Sequence, residues 1–188
     1  MIYPIYLYGH PVLRQTAQPV DPQKEENLPQ LIDDMFATMY NSDGVGLAAP
    51  QIGISKQIIV IDGTVMTDRF PECKDMVLAL INPEIEIIED TDPVSRDEGC
   101  LSLPGISESV RRVEHLRLTW LDKDLQKQTR EFTGFAARII QHEFDHLLGK
   151  VYTDHISPIR KSLIRNKLNN IVKGKIRCQY RVVPAPKK

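Results

Sequence analysis

The chain has 188 residues and a formal net charge of −1, with 26% charged and 41% hydrophobic residues. This length is typical of one domain, and the composition excludes collagen-like and low-complexity proteins. The longest apolar run spans six residues, 76–81, so we expect no membrane-spanning segment. No signal-peptide pattern is evident, and three cysteines without a CxxC motif predict no disulfide framework. We therefore expect a reducing cytoplasmic compartment.

The net charge hides a strong asymmetry along the chain. Residues 156–188, the basic segment, contain no acidic residue and carry a charge of +10, whereas residues 1–155 carry −11. The basic side chains of this segment are Arg160, Lys161, Arg165, Lys167, Lys173, Lys175, Arg177, Arg181, Lys187 and Lys188. Such an excess favours a polyanionic partner, although a solvated helix face would have the same composition.

Hydrophobic periodicity predicts the elements of the first half. An amphipathic helix is expected within residues 22–42, because apolar side chains recur there at intervals of three and four residues. The glycines at positions 44 and 46 end this helix. Strands rich in Ile, Val and Leu are expected at residues 57–62 and 77–82, and an alternating strand at 84–89. Residues 63–75 are polar and predict a loop.

The second half continues with a strand pair and two helices. Residues 113–121 and 128–133 predict two strands joined by a turn. A helix is expected at residues 134–148, with Thr133 as its N-cap and Gly149 as its stop. Ser157 and Pro158 open a third helix that extends to about residue 172. Central strands flanked by helices predict an α+β fold with a mostly antiparallel sheet.

The sequence QHEFDHL at residues 141–147 is the strongest chemical signal. His142 and His146 are four residues apart on the predicted helix, so both imidazoles can bind one metal ion. Glu143 lies beside them, close enough to act on a water molecule at that metal. Phe135 and Ile139 continue the same helical face, which places the histidines in partly buried surroundings. The alternative is a helix with two ordinary histidines.

A catalytic metal site usually has a third protein ligand. Downstream, the candidates are Asp154 and His155, as in HExxH peptidases. Upstream, Cys100 lies in the short segment EGCLSLP at residues 98–104, and a thiolate is a strong ligand for a borderline metal. A single cysteine in such a segment also occurs as a small packed side chain.

The segment GVGLAAPQ at residues 44–51 is a third candidate for a functional site. Its two glycines allow close approach of the backbone. The side-chain amide of Gln51 could donate a hydrogen bond to a developing oxyanion. The alternative is an ordinary turn between a helix and a strand.

These three segments, in this order, resemble the peptide deformylase family, whose motifs are GxGLAAxQ, EGCLS and QHExDHL. All three match without substitution, and the resemblance covers residues 5–172. It implies a mostly antiparallel β-sheet packed around a central helix that contains the HExxH motif, with a C-terminal helix. It also implies a single catalytic domain at residues 1–172, followed by a basic C-terminal tail at 173–188.

The resemblance further implies an activity and a role for each motif residue. The enzyme would remove the N-formyl group from the N-terminal methionine of nascent polypeptides and release formate. Glu143 would take a proton from the attacking water and deliver it to the leaving amine, while Gln51 and the backbone N–H of Leu101 meet the oxyanion. One divalent metal, natively Fe(II) but replaceable by Zn, Ni or Co, would be held by Cys100, His142 and His146.

Substrate and partner residues follow from the same resemblance. Val45, Gly46 and Ile139 match positions that bind the substrate. Glu98, Arg112 and Asp145 are candidates for orienting the metal ligands. The enzyme would be cytoplasmic and bacterial-type, with no membrane partner, and the basic tail could bind the ribosome near the exit tunnel. Two alternatives remain, namely an HExxH-type metallopeptidase and a cysteine hydrolase with Cys100 as nucleophile.

Overall fold

The structure, a computed structural model, describes residues 1–25 and 27–186. Within these residues the helices are α1 (Leu28–Asn41), α2 (Gly134–Leu147), α3 (Pro158–Leu163) and α4 (Arg165–Val172). The strands of the same residues are β1 (Ile5–Tyr6), β2 (Gly46–Ala48), β3 (Ile58–Asp62), β4 (Val77–Ile87), β5 (Val94–Gly99), β6 (Ser107–Arg112), β7 (His115–Leu121), β8 (Lys127–Thr133) and β9 (Val182–Val183). None of the helices in this described part is long and apolar enough to cross a membrane.

A five-stranded antiparallel sheet forms the centre of the fold, with strand order β2-β3-β4-β7-β8. Strand β3 shows why both faces of this sheet are covered. Ile59 and Ile61 pack with α2 in one core cluster, while Ile58 and Val60 pack with α1 in another. This alternation follows from the two-residue period of a strand. The predicted α+β fold, with its antiparallel sheet around the HExxH helix, is confirmed.

Strand β4 corrects one sequence prediction. Residues 77–82 and 84–89 were predicted as two strands, but residues 77–87 form one strand with a register shift between Ile81 and Glu84. Asn82 lies at this bulge with φ of 49°, a conformation that asparagine tolerates better than most residues. Its side chain accepts from Val20 N–H at 2.7 Å and donates to Val20 O at 2.8 Å. This pairing holds the bulge and lets the strand continue through it.

The start of α2 corrects a second prediction. The Thr133 side chain makes no capping hydrogen bond. Instead, Glu72 accepts from the Phe135 N–H at 2.8 Å, and a Cβ on Gly134 would clash with this carboxylate. Glu72 lies in a short 3-10 turn, Pro71–Cys73, within the predicted polar loop. The loop therefore supplies a negative charge at the N-terminus of the helix, where it is stabilising.

The C-terminal part departs from the predicted third helix. Ser157 caps α3 as expected, by accepting from the Arg160 N–H, but the helix is interrupted at Ile164 before α4. Beyond α4 the chain returns to the domain, where β9 pairs in parallel with β1. The boundary at residue 172 between catalytic domain and tail stays a prediction.

Candidate metal centre

Three side chains from two elements meet at one point. Cys100 lies in the loop that joins β5 to β6, whereas His142 and His146 lie one turn apart on α2. Their ligand atoms all lie within 4.8 Å of one another, and Cys100 Sγ is 3.3 Å from Nε2 of His146. The alternative downstream ligands are engaged elsewhere. Asp154 pairs with Arg14 and Lys161, and the His155 ring bonds to Asp145.

The chemistry and spacing of these ligands fit a divalent metal. Bonds of about 2.0 to 2.3 Å in tetrahedral geometry separate the ligand atoms by about 3.5 Å. Burial opposes ionisation of Cys100, but the charges and hydrogen bonds of His146 and His142 outweigh it and lower the pKa of the thiol to about 5. Cysteine binds metals as the thiolate, so this environment favours the form that coordinates.

Glu98 fixes the orientation of His142. Its Oε2 lies 2.9 Å from Nδ1 of His142, which leaves Nε2 of that ring for a metal. Arg112 donates to both carboxylate oxygens, at 2.7 and 2.9 Å, and Arg138 donates to Oε1 at 2.8 Å. Burial raises the pKa of Glu98, but the hydrogen bond with His142 and the paired Arg112 hold it well below its usual range.

Arg138 was missed by the sequence reasoning. It is fully buried, and besides Glu98 it bonds to Glu114 at 2.9 Å and to the Val110 and Val94 carbonyls. The sequence did contain a signal, because Arg138 lies four residues before His142 and thus on the same helical face. An arginine on a face that is otherwise apolar must be paired to be buried.

The network extends to Asp145, which accepts from Arg112 Nη1 at 2.9 Å and contacts His155 Nε2 at 2.8 Å. His155 was a candidate downstream ligand, and this contact instead connects it to the residues around the ligand cluster. Burial raises the pKa of Asp145, but these two partners outweigh it and lower the pKa below its ordinary value.

Glu143 is buried beside the ligand cluster. No donor among the described residues lies within hydrogen-bond distance of its Oε2. Burial raises the pKa of Glu143 to about 7, against the opposing charges of His142 and His146. A Cβ on Gly46 would lie only 2.5 Å from Oε1 of Glu143. Gly46, expected from the sequence to bind substrate, therefore also leaves the space that this carboxylate fills.

Gln51 lies in a short 3-10 turn, Ala49–Ile52, directly after β2. Its Oε1 accepts from the Ala48 N–H at 2.8 Å, so its Nε2 faces Cys100 Sγ at 3.4 Å and Ser102 Oγ at 3.3 Å. Leu101 follows Cys100, and its carbonyl accepts from the Tyr180 hydroxyl at 2.9 Å. The side-chain amide of Gln51 is thus a candidate donor beside the ligand cluster, and the Leu101 N–H belongs to the peptide that follows Cys100.

A cavity of about 700 Å³ opens onto these groups. Val45 and Ile139, both expected to bind substrate, line it together with Met66 and Phe135, for which no substrate contact was predicted. Residues 177–180, from the predicted tail, line another wall. No periodicity or motif in their sequence predicts a place at the cavity. They reach it because the chain returns to the domain and pairs with β1.

Known proteins match this chain over nearly its whole length. A family model described as polypeptide deformylase matches residues 2–162. A peptide deformylase of Salinibacter ruber is 41% identical over 187 residues, which cover 97% of this chain and 95% of the relative. One of Cellvibrio japonicus is 44% identical over 181 residues, with coverage of 94% and 99%. The crystal structure of peptide deformylase from Thermus thermophilus has a TM-score of 0.79 at 37% identity, covering 90% of this chain and 96% of its own. On the family model, the relatives and the shared fold, the chain belongs to the peptide deformylase family.

Proposed function

We propose that this protein removes the N-formyl group from the N-terminal methionine of newly synthesised polypeptides, with Glu143 as the proton carrier beside a metal held by Cys100, His142 and His146. Membership of the family makes it a metal-dependent deformylase that acts on nascent peptides. The observation that supports the residue assignment is the approach of the three ligand atoms to within 4.8 Å beside the buried carboxyl of Glu143.

A divalent metal bound by these three residues would polarise the formyl carbonyl and lower the pKa of water. Glu143 suits proton transfer because burial raises its pKa to about 7, so its carboxyl can take and return a proton near neutral pH. Its Oε2, which has no partner among the described residues, is the atom we assign to that proton. The same carboxyl then delivers the proton to the leaving amine.

Gln51 and Leu101 are assigned to the oxyanion. The Ala48 N–H holds Oε1 of Gln51, which leaves Nε2 directed towards Cys100 as a donor. Preorganised donors of this kind contribute about 100- to 1,000-fold each to rate. The Leu101 N–H is the second proposed donor, since it belongs to the peptide directly after the metal ligand.

The cavity supports a substrate with an apolar first side chain. Val45, Ile139, Met66 and Phe135 supply apolar surface beside the ligand cluster, and methionine is the first residue of a nascent chain. Gly46 borders the same space, and because it has no side chain the backbone of a substrate can come close to it.

The metallopeptidase alternative is disfavoured by the ligand arrangement. It requires a downstream third ligand, and both downstream candidates are bound to other side chains. In a cysteine hydrolase, Cys100 would be the nucleophile and one of the two histidines its base, so the reaction would need no metal.

The decisive assay compares formyl-, acetyl- and unblocked Met-Ala-Ser peptides, with and without a chelator. We expect formate release from the formyl peptide alone, abolished by metal removal. Cleavage of the unblocked peptide would favour the peptidase. Activity that survives metal removal would favour the cysteine hydrolase.

Fe(II) is our proposal for the native metal, with Zn, Ni or Co able to replace it. One thiolate and two imidazoles accept each of these ions, so ligand chemistry alone does not select one. Metal analysis of anaerobically purified protein tests the identity. Activity of an iron form should decay in air, because Cys100 beside a redox-active ion is a target of oxidation. A nickel form that decays equally fast would contradict this explanation.

We also propose a cytoplasmic location and contact with the ribosome near the peptide exit. The support is the basic segment, in which Arg165, Lys167, Lys173 and Lys175 are exposed. Arg160 and Lys161 are partly neutralised by Glu108 and Asp154. RNA phosphates attract such a surface, and affinity for them falls steeply with salt.

A further inference from the structure

The loop of residues 100–106, which contains Cys100, is held at three of its carbonyls by distant parts of the chain. The Tyr180 hydroxyl donates to Leu101 O at 2.9 Å, and the Tyr8 N–H donates to Ser102 O at 2.9 Å. At the far end of the loop, the Tyr152 hydroxyl donates to Ile106 O at 3.0 Å. The backbone of this loop is therefore fixed from outside as well as by its own turns.

Tyr180 reaches this loop because the C-terminal chain is anchored beside it. The Ile5 N–H donates to Arg181 O and the Leu7 N–H to Val183 O, both at 2.9 Å, which holds β9 against β1. The ring of Tyr180 is half-buried and packs against the same core cluster as Leu101. The anchored strand thus leaves the hydroxyl little freedom.

We propose that Tyr180 is a positioning residue for the hydrolytic reaction, holding the Leu101 carbonyl so that the Leu101 N–H keeps its direction towards the oxyanion. The proposal rests on the proposed function, in which that N–H is a donor. The two residues that are joined by the peptide carrying this N–H are then each held by other parts of the chain. Cys100 is held through its sulfur by His146 and Gln51, and Leu101 is held through its carbonyl by Tyr180. A donor fixed in this way needs no reorganisation when charge develops.

The test is Tyr180→Phe, which removes the hydroxyl and keeps the ring. We expect kcat for a formyl-Met peptide to fall about fivefold, which corresponds to about 1 kcal/mol. KM should stay within about twofold, because an interaction made only in the transition state changes kcat and kcat/KM together. Metal content should match the wild type, and the thermal midpoint should fall only as far as the loss of one hydrogen bond predicts. Tyr40→Phe is the matched control, since Tyr40 Oη bonds to Asp62 at 2.8 Å and lies outside the cavity.

Tyr180→Leu separates positioning from packing. If the hydroxyl positions the loop, the Phe and Leu variants should lose a similar part of kcat. If only the packing of the ring matters, Tyr180→Phe should keep the wild-type kcat and Tyr180→Leu should lose it. A Phe variant with kcat within twofold of wild type overturns the proposal, as does an equal loss in Tyr40→Phe or a loss that tracks metal content. A rise in KM alone would assign Tyr180 to substrate binding and contradict positioning. If the wild type releases no formate, the proposed function itself is wrong. If the wild type is active and Tyr180→Phe is unaffected, only the positioning role of Tyr180 is wrong.

Discussion

Gly46→Ala tests whether the position of Glu143 controls the reaction. The added methyl would lie 2.5 Å from Oε1 of Glu143 and 2.8 Å from its Cδ and Cγ. Real Cβ atoms essentially never come closer than 3.0 Å to other heavy atoms, so the carboxylate must move by about half an ångström. Because Glu143 is buried and three of its side-chain atoms lie within 2.8 Å of the added methyl, movement of its outer oxygen alone does not relieve the clash.

The size of the effect follows from this displacement. A misplacement of about 1 Å can lower a rate about 100-fold, so half of it predicts a loss of about 10-fold or more in kcat. Overpacking of this kind also lowers the free energy of unfolding by about 1 to 3 kcal/mol. Gly99→Ala is the control, because its added methyl meets nothing closer than Ile106 O at 3.8 Å. Metal content should be unchanged in both variants.

The assay combines formate release with denaturant unfolding in a double-mutant cycle. In a Glu143→Ala background the methyl of Gly46→Ala has no carboxylate to displace, so its destabilising effect should largely disappear. An equal loss of stability in both backgrounds would show that the clash with Glu143 is not the cause. Wild-type kcat in Gly46→Ala would refute the link between the position of this carboxyl and the rate.

The geometry makes four further predictions. Glu143→Ala should keep the metal and lose about 100- to 10,000-fold in kcat, and near-normal turnover would contradict its role in proton transfer. Metal retention on dialysis should fall as the pH is lowered, because protons compete with the metal for the Cys100 thiolate and for the two imidazoles; equal retention at pH 7 and pH 4 would contradict this. Glu72→Ala should lower the free energy of unfolding by about 1 kcal/mol in thermal melts, through loss of the cap on α2, whereas an unchanged melt would show that the Phe135 N–H needs no such partner. Reversing three exposed charges, those of Arg165, Lys167 and Lys173, should reduce the amount of protein that pellets with ribosomes at low salt. An unchanged amount would contradict the proposed contact with the ribosome.

The sequence by itself determined the chemistry-bearing segments and the fold class. His142, Glu143 and His146 are close in sequence, so one helical turn suffices to bring them together. The alternation and periodicity of the apolar residues located α1, α2 and strands β3, β7 and β8 to within a few residues, because these elements bury one regular face or both. The motifs also predicted the ligand types and the candidate donor Gln51.

Only the tertiary structure decided which distant residues complete the site. Strands β5 and β6 were not predicted, because they are rich in charged residues that simple hydrophobic patterns assign to the surface. The buried charges of these strands are paired, Glu98 with Arg112 and Glu108 with Arg160. Glu98 also meets Arg138 across 40 positions of the chain. The cap from Glu72 and the contact of Tyr180 with Leu101 likewise join residues far apart in sequence. Local propensity cannot reveal such contacts, since each is stable only when both partners have been desolvated and fixed by the rest of the fold.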